Sequence, residues 1–173
     1  MLLTDRISHL EDCLDYRYQN KDTPKTLIEI NGQIRQGWAY SGDKFLGTWL
    51  TLWLMDILSF EKAKDSEYKT LHTNKSLRGL AIHYDIPYIF DYTIIKRHQQ
   101  EQNIGISQIN TKQIGTIMEA CFYSIYLDSG FEAGYEWIKM WYFENNKARE
   151  AALRSYNNKR VVSRKDLARE LVR

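Results

Sequence analysis

The fold of this protein is decided by residues 38–58, which read WAYSGDKFLGTWLTLWLMDIL. Within them, the apolar stretch from Phe45 to Leu58 is interrupted by a single carboxylate, Asp56. A helix needs about 20 apolar residues to cross a bilayer, so this run of 14 residues is too short. The stretch therefore predicts a buried helix that opens at Ser41-Gly42-Asp43 and ends near Phe60.

Helical periodicity extends over the rest of the chain. Apolar residues recur at helical spacing from residue 7 to residue 14, and the tripeptide Asp-Ser-Gly at 128–130 divides a strongly apolar helix from an aromatic-rich one. The charged segment 61–67 is expected to be an exposed connection, and residues 97–110 show no clear period. The sequence thus predicts an all-α protein, whose helices begin at Thr4, near Pro24, at Ser41, at Thr73 or Asn74, at Thr111 and at Phe131.

Composition and charge divide the chain into two parts. Its 173 residues are 43% hydrophobic and 27% charged, which is typical of a soluble globular protein of one domain. Residues 1–143 hold 15 Lys or Arg against 18 Asp or Glu, whereas residues 144–173 hold 9 against 4. We therefore expect a body over 1–143 and a basic helical C-terminal extension over 144–173, with a capping box at Ser163-x-x-Asp166. We expect this extension to contact RNA; the alternative is that its apolar residues dock on the body.

Two acidic residues stand on otherwise apolar segments. Asp43 opens the long predicted helix, and Glu119 lies in the middle of the helix predicted from Thr111. A carboxylate on an apolar helix is costly unless it is paired or binds a metal ion, and hard cations such as Mg²⁺ prefer oxygen ligands. The alternative is structural, with Asp43 as a helix cap and Glu119 in a salt bridge. The two cysteines, Cys13 and Cys121, fit no metal or disulfide spacing.

Four blocks of the sequence resemble the ribonuclease III family. Residues 38–46, WAYSGDKFL, resemble its signature, in which Glu, an aromatic residue, Leu and Gly precede an Asp. Residues 10–18 resemble its first helix, residues 74–81 its next conserved helix, and residues 112–133 its third block. The blocks occur in the family's order, and the resemblance covers about residues 8–143.

This resemblance implies a helical homodimer that cleaves double-stranded RNA with Mg²⁺, held by four acidic residues in each subunit. Asp43 and Glu119 remain as the implied metal ligands, whereas the other two positions of this cluster are occupied by Ala39 and Thr116. A further position that is acidic in the family, before the signature, is occupied by Gln36. The small Mini-III branch of the family is similar to this sequence at two of these positions, since it also has Ala where Ala39 stands and Thr where Thr116 stands. Mini-III enzymes also lack a separate domain that binds double-stranded RNA. An active site of this kind would use Thr116 to bind a metal-bound water and Lys112 to steady a phosphate.

Two functions follow as hypotheses. The first is a Mg²⁺-dependent endoribonuclease, for which Mn²⁺ can substitute, that acts on double-stranded or structured RNA as a homodimer or together with a related ribonuclease III-fold subunit. The second is an inactive ribonuclease III-fold subunit that binds RNA, for example in a mitochondrial large ribosomal subunit; Lys44, beside Asp43, favours this alternative if its ammonium points inward. Residues 1–11 show no targeting pattern, so we expect a cytoplasmic or organellar protein. The aromatic residues Trp49, Trp53, Trp137, Trp141, Tyr142 and Phe143 suggest an apolar two-fold interface.

Overall fold

A computed structural model describes residues 2–29, 32–90 and 111–158 of the chain. All regular structure in these ranges is helical, which confirms the predicted all-α class. The predicted irregular segment 97–110 and the capping box at 163–166 lie outside the described residues. The elements are α1 (Leu3–Leu14), α2 (Asp22–Glu29), α3 (Gly32–Ile57), α4 (Phe60–Asp65), a 3₁₀ helix (Glu67–His72), α5 (Asn74–His83), α6 (Pro87–Phe90), α7 (Thr111–Ile138), a π-helix (Lys139–Phe143) and α8 (Asn146–Asn157).

The long apolar helix, α3, begins nine residues earlier than the sequence suggested, since it starts at Gly32 and not at Ser41. Ala39 is buried, seven residues before the buried Leu46 and ten before the buried Trp49, so the apolar face of the helix continues upstream of the Ser-Gly-Asp tripeptide. Asp43 therefore lies in the middle of α3. The prediction that it stands at a helix start, where it could serve as an N-cap, is wrong.

The second long helix, α7, is divided where the sequence predicted. Gly130 has a φ of 83°, a left-handed conformation that interrupts the helix and that glycine adopts at little cost. The neighbouring Asp128 carboxylate accepts hydrogen bonds from the Tyr16 hydroxyl at 2.7 Å and from the backbone amides of Gln19 and Asn20, both at 2.9 Å. These bonds attach the connection between α1 and α2 to the break in α7.

A π-helical turn follows α7 and ends the aromatic-rich segment. The amide of Glu144 donates to the carbonyl of Lys139, five residues earlier, at 2.8 Å. The wider turn lets three consecutive side chains, Trp141, Tyr142 and Phe143, all be buried. Downstream of this turn the chain enters α8.

The tryptophans predicted to form an interface lie mainly in the core. Trp49, Trp53 and Trp141 are each at most 5% exposed. The indole N–H of Trp137 donates to the Leu14 carbonyl at 2.8 Å, and that of Trp141 donates to the Cys13 carbonyl at 3.1 Å. These bonds satisfy two carbonyl groups at the C-terminal end of α1 that have no partner within the helix. The aromatic content therefore fills and closes the core, and it gives no support to a two-fold interface.

Residues 146–157 pack with the body of the protein. Ala148 and Ala152 of α8 are fully buried, and α5 approaches closely at Gly79, where an added Cβ would lie 2.5 Å from the Ala151 carbonyl oxygen. The described part of the basic segment thus shares one core with residues before 144. The rest of the extension, 159–173, lies outside the described residues.

Several smaller predictions are also settled by the structure. Thr4 lies inside α1, which begins after Leu2, and the charged connection 61–67 contains most of α4. Thr73 caps α5 by accepting a hydrogen bond from the amide of Ser76, as predicted. Pro87 is the first residue of the short helix α6.

Among the described helices, none has the length and apolar character needed to span a membrane.

Candidate functional site

The two acidic residues singled out from the sequence meet where α3 crosses α7. A Cβ added to Gly42 would lie 2.6 Å from the backbone carbonyl carbon of Glu119. Real Cβ atoms essentially never come this close to a non-bonded heavy atom. Only a glycine at position 42 allows the two backbones to touch. Asp43 follows Gly42 directly, and its charge acts on the carboxyl group of Glu119, so the crossing places the two acidic residues near each other. In the sequence, Gly42 has the pattern of a helix start, and its role in the close contact is visible only in the packing of α3 on α7.

The carboxyl group of Glu119 is affected both by its burial and by the charge of Asp43. Burial and, as the smaller cause, the negative charge of Asp43 together raise the pKa of Glu119 to about 7. Two neighbouring carboxyl groups in a half-buried position supply hard oxygen ligands. Their chemistry fits a divalent cation such as Mg²⁺.

The next residue, Lys44, places an ammonium group beside this pair. Its Nζ lies 3.7 Å from Oδ2 of Asp43 and 5.1 Å from the centre of the Tyr40 ring. The Lys44 side chain is 63% exposed, so the ammonium approaches Asp43 from the solvent side of α3. The charge is therefore near the pair without being buried in it.

The other predicted site residues lie on α7, upstream of Glu119. Lys112 and Thr116 precede Glu119 by seven and three residues in one continuous helix, so all three share a face. The Thr116 hydroxyl donates to the carbonyl of Lys112 at 2.8 Å. Its hydrogen is thereby used, and its remaining lone pairs can only accept a hydrogen bond, for example from a water molecule.

The positions at which the family resemblance predicts acidic residues differ in their burial. Ala39 is buried, one turn before Asp43, whereas Gln36 is exposed. Over the ranges 2–29, 32–90 and 111–158, no group of three or more His, Cys, Asp or Glu side chains is arranged to hold a metal ion. The candidate site thus consists of a pair of carboxylates, and any cation there would keep most of its water ligands.

The start of α5 also packs close to this crossing. A Cβ added to Gly115 would lie 2.8 Å from Cγ of Asn74, so the Asn74 side chain fits against α7 one turn before Glu119. His72, at the end of the 3₁₀ helix, lines the same surface groove as Asp43. No motif in the sequence points to His72, because its position near Asp43 depends on how the 3₁₀ helix packs on α3.

Comparisons with protein-family models, with curated proteins and with solved structures find no match for this chain.

Proposed function

We propose that this protein is a ribonuclease III-like endoribonuclease that hydrolyses double-stranded or structured RNA with Mg²⁺. The observation that carries the proposal is the glycine-mediated crossing of α3 and α7. It joins Asp43 and Glu119, the two acidic residues that the family resemblance implies as metal ligands. Ordinary caps or surface salt bridges would not require two distant acidic residues to meet in this way.

Each residue of the candidate site has a role in this proposal. Asp43 and Glu119 hold the Mg²⁺ ion, which when bound supplies an acidic water molecule and positive charge at the scissile phosphate. Thr116 orients water through its free lone pairs, since its hydrogen is bonded to the Lys112 carbonyl. The Lys112 ammonium, in the first turn of α7, binds an RNA phosphate.

The test is cleavage of long double-stranded RNA by the purified protein, with and without Mg²⁺. Cleavage should need the metal ion and should fall at least about 100-fold in Asp43→Asn and in Glu119→Gln. Glu132→Gln, which removes an exposed carboxylate from α7, is the matched control and should cleave normally. If the wild-type protein cleaves no double-stranded RNA at high Mg²⁺ or Mn²⁺, the enzymatic proposal is rejected.

A second candidate function is an inactive ribonuclease III-fold subunit that binds structured RNA, for instance in a large ribosomal subunit. The observation that favours it is the lack of a third metal-ligating His, Cys, Asp or Glu side chain among the described residues, whereas the Lys44 ammonium approaches Asp43 from the solvent side and does not point inward. An inactive subunit should bind structured RNA and leave it intact at every Mg²⁺ or Mn²⁺ concentration. The double change Ala39→Glu and Thr116→Asp should then create cleavage, whereas it should bring little or no gain to a site already adapted to Ala and Thr.

We also propose that the protein forms a homodimer, as the family resemblance implies. Exposed apolar side chains on the C-terminal half of α3, namely Leu52, Met55 and Ile57, are a suitable contact surface. Met55→Glu should convert a dimer to a monomer in light scattering at micromolar concentration. Met140→Glu changes an even more exposed methionine on the π-helix and should leave the mass unchanged. A wild-type protein that is already monomeric would contradict the proposal.

A further inference from the structure

The Asn74 side chain lies against α7 on the face that carries the candidate site. A Cβ added to Gly115 would overlap Oδ1 of Asn74 and lie 2.8 Å from its Cγ, so the Asn74 amide occupies the space that a side chain at position 115 would fill. Gly115 stands three residues after Lys112 and four before Glu119, so it belongs to the same face of the helix. The amide therefore lies on this face between two residues of the proposed site, although the mechanism above does not use it.

Neither Asn74 nor Gly115 is explained by the stability of the helix on which it stands. Thr73 already caps α5 by accepting a hydrogen bond from the Ser76 amide, so Asn74, the first residue of that helix, is not needed as a cap. Within the described ranges, no hydrogen bond joins the exposed Asn74 amide to another residue. A glycine inside a helix costs about 1 kcal/mol relative to alanine, so Gly115 lowers the stability of α7 while it leaves room for the amide.

The side chain of Glu119 is directed toward the same space. In an α-helix, Cβ atoms four residues apart are about 5–6 Å from each other, and long side chains lean toward the N-terminal end, over the residue four positions earlier. For Glu119 that residue is Gly115, which has no side chain to block it. Helix geometry thus directs the Glu119 carboxyl group to the place on α7 that the Asn74 amide oxygen occupies.

We propose that the Asn74 amide oxygen is a third ligand of the divalent cation held by Asp43 and Glu119. An amide oxygen is a hard ligand of the kind that such cations accept, and it adds no negative charge. The inference rests on the proposed function, and Asn74 stands at none of the positions where the family resemblance implies an acidic residue. It gives this chain an oxygen that partly replaces the carboxylates absent at Ala39 and Thr116.

Asn74→Asp turns the amide into a carboxylate of nearly the same size and so tests the position of this oxygen. Binding of Mn²⁺ to the purified protein, without RNA, is followed by electron paramagnetic resonance of the free ion. Because affinity rises with the number of charged ligands, we expect Asn74→Asp to tighten Mn²⁺ binding about tenfold or more. The additional change Glu119→Gln should remove that gain.

Asn146→Asp is the matched control for the added charge. Asn146 is likewise the first residue of a capped helix, α8, with Asn145 as its cap. The Asn145 amide donates to the Tyr84 hydroxyl, just beyond the C-terminal end of α5, so Asn146 lies near the end of α5 opposite to Asn74. A carboxylate at position 146 should leave Mn²⁺ binding unchanged.

Two further variants remove the oxygen and keep both carboxylates. Asn74→Leu replaces the amide by an apolar group of similar size, and Gly115→Ala fills the space so that the flexible Asn74 side chain must turn away. Both should weaken Mn²⁺ binding about tenfold. If Asn74 had only a structural role, these changes would alter the free energy of unfolding in urea and leave the Mn²⁺ affinity as it is.

The outcomes separate this inference from the proposed function. If the wild-type protein binds no Mn²⁺ and cleaves no RNA, both are rejected. If Mn²⁺ binding depends on Glu119 but is the same in Asn74→Asp, in Asn74→Leu and in the wild type, only the inference is rejected. If Asn146→Asp tightens Mn²⁺ binding as much as Asn74→Asp does, the gain reflects added negative charge and not a ligand position, and the inference is overturned.

Discussion

Two pairs of helices in this protein cross at a glycine, and the two crossings differ in what lies beside the contact. At the α3–α7 crossing, Gly42 touches the backbone of Glu119, and a carboxylate stands on each helix. At the α5–α8 crossing, Gly79 touches the backbone at Ala151, and the neighbouring buried side chains are those of Ala148 and Ala152. Close approach of helices is thus a packing device, and the residues next to it determine whether it also creates a candidate site.

The difference is also one of stability. Buried alanines at the α5–α8 crossing contribute apolar burial without a desolvation cost. At the α3–α7 crossing, by contrast, the contact removes water from Glu119 and places Asp43 nearby, which raises the pKa of Glu119 to about 7. Near neutral pH the first crossing therefore carries an electrostatic cost that the second does not have, which is the pattern expected where function limits stability.

Among the variants at the two crossings, Gly42→Ala should cause the largest loss of stability. The new Cβ would overlap backbone atoms, which cannot rotate away, so we expect a loss of at least about 3 kcal/mol in the free energy of unfolding. Gly79→Ala should cost less, about 1–2 kcal/mol, because its nearest atoms, the Ala151 carbonyl oxygen and the Ser155 Cβ, both lie 2.5 Å away and the overlap is shallower than at Gly42. Urea denaturation measures both losses.

Gly47→Ala supplies the control for these two variants. Position 47 faces open space within the same helix as Gly42, so alanine there should stabilise the protein by up to about 1 kcal/mol. Equal losses in Gly42→Ala and Gly47→Ala would show that helix propensity, and not the crossing, determines the response.

A smaller effect is expected from Glu119→Gln, and it should depend on pH. The pKa of Glu119 is about 7 in the folded protein, against an ordinary value of 4.5, so the folded state holds the extra proton between these values. Wild-type stability should therefore fall as pH rises from about 4.5 to about 7, and Gln removes that loss. After allowance for the partial exposure of Glu119, the variant should be more stable by about 1–2 kcal/mol at pH 8 and equal to wild type near pH 4.

Urea denaturation at pH 4, 6 and 8 checks this expectation. Asp43→Asn should give the same trend with a smaller size, because the charge of Asp43 is the lesser of the two causes of the raised pKa. Glu132→Gln should show no such trend. A stability difference between wild type and Glu119→Gln that does not vary with pH would contradict the electrostatic cost described for this crossing.

The smallest effect is expected at the α5–α8 crossing. Ser155 donates a hydrogen bond to the Lys75 carbonyl at 2.7 Å in an exposed position. Ser155→Ala should cost about 0.5–1 kcal/mol, independent of pH between 4 and 8, since no charge is involved. A cost that changes with pH would mean that this crossing also has an electrostatic component, and the contrast between the two regions would weaken.

The sequence predicted the helical class and the break at Gly130, because hydrophobic periodicity and glycine punctuation are local signals. It misjudged the start of α3 for an equally local reason. Ser, Gly and Asp are common at helix starts, so their tripeptide at 41–43 predicted a start there. The apolar residues upstream, including Trp38 and Ala39, belong to the same helix. Only the packing of α3 on α7 shows that Gly42 is there for the close contact.

The candidate site was predictable to a similar extent. Lys112, Thr116 and Glu119 could be assigned to one helical face from spacing alone, and the family resemblance selected Asp43 as their partner. The positions of Lys44 and His72 could not be derived in this way. The first depends on a side-chain conformation and the second on the docking of the 3₁₀ helix, which no repeat in the sequence encodes.

The π-helical turn at Lys139–Phe143 has a consequence for how this chain tolerates insertions and deletions. A π-turn holds one residue more than an α-turn, so deleting one residue there would leave an ordinary α-helix. Everything downstream would then rotate by about 100° and shift by about 1.5 Å. The alanine face of α8 would turn away from α5, and Ala148 and Ala152 would leave the core. The length of this turn is therefore expected to be fixed, while the composition of its exposed position, Met140, is free to vary.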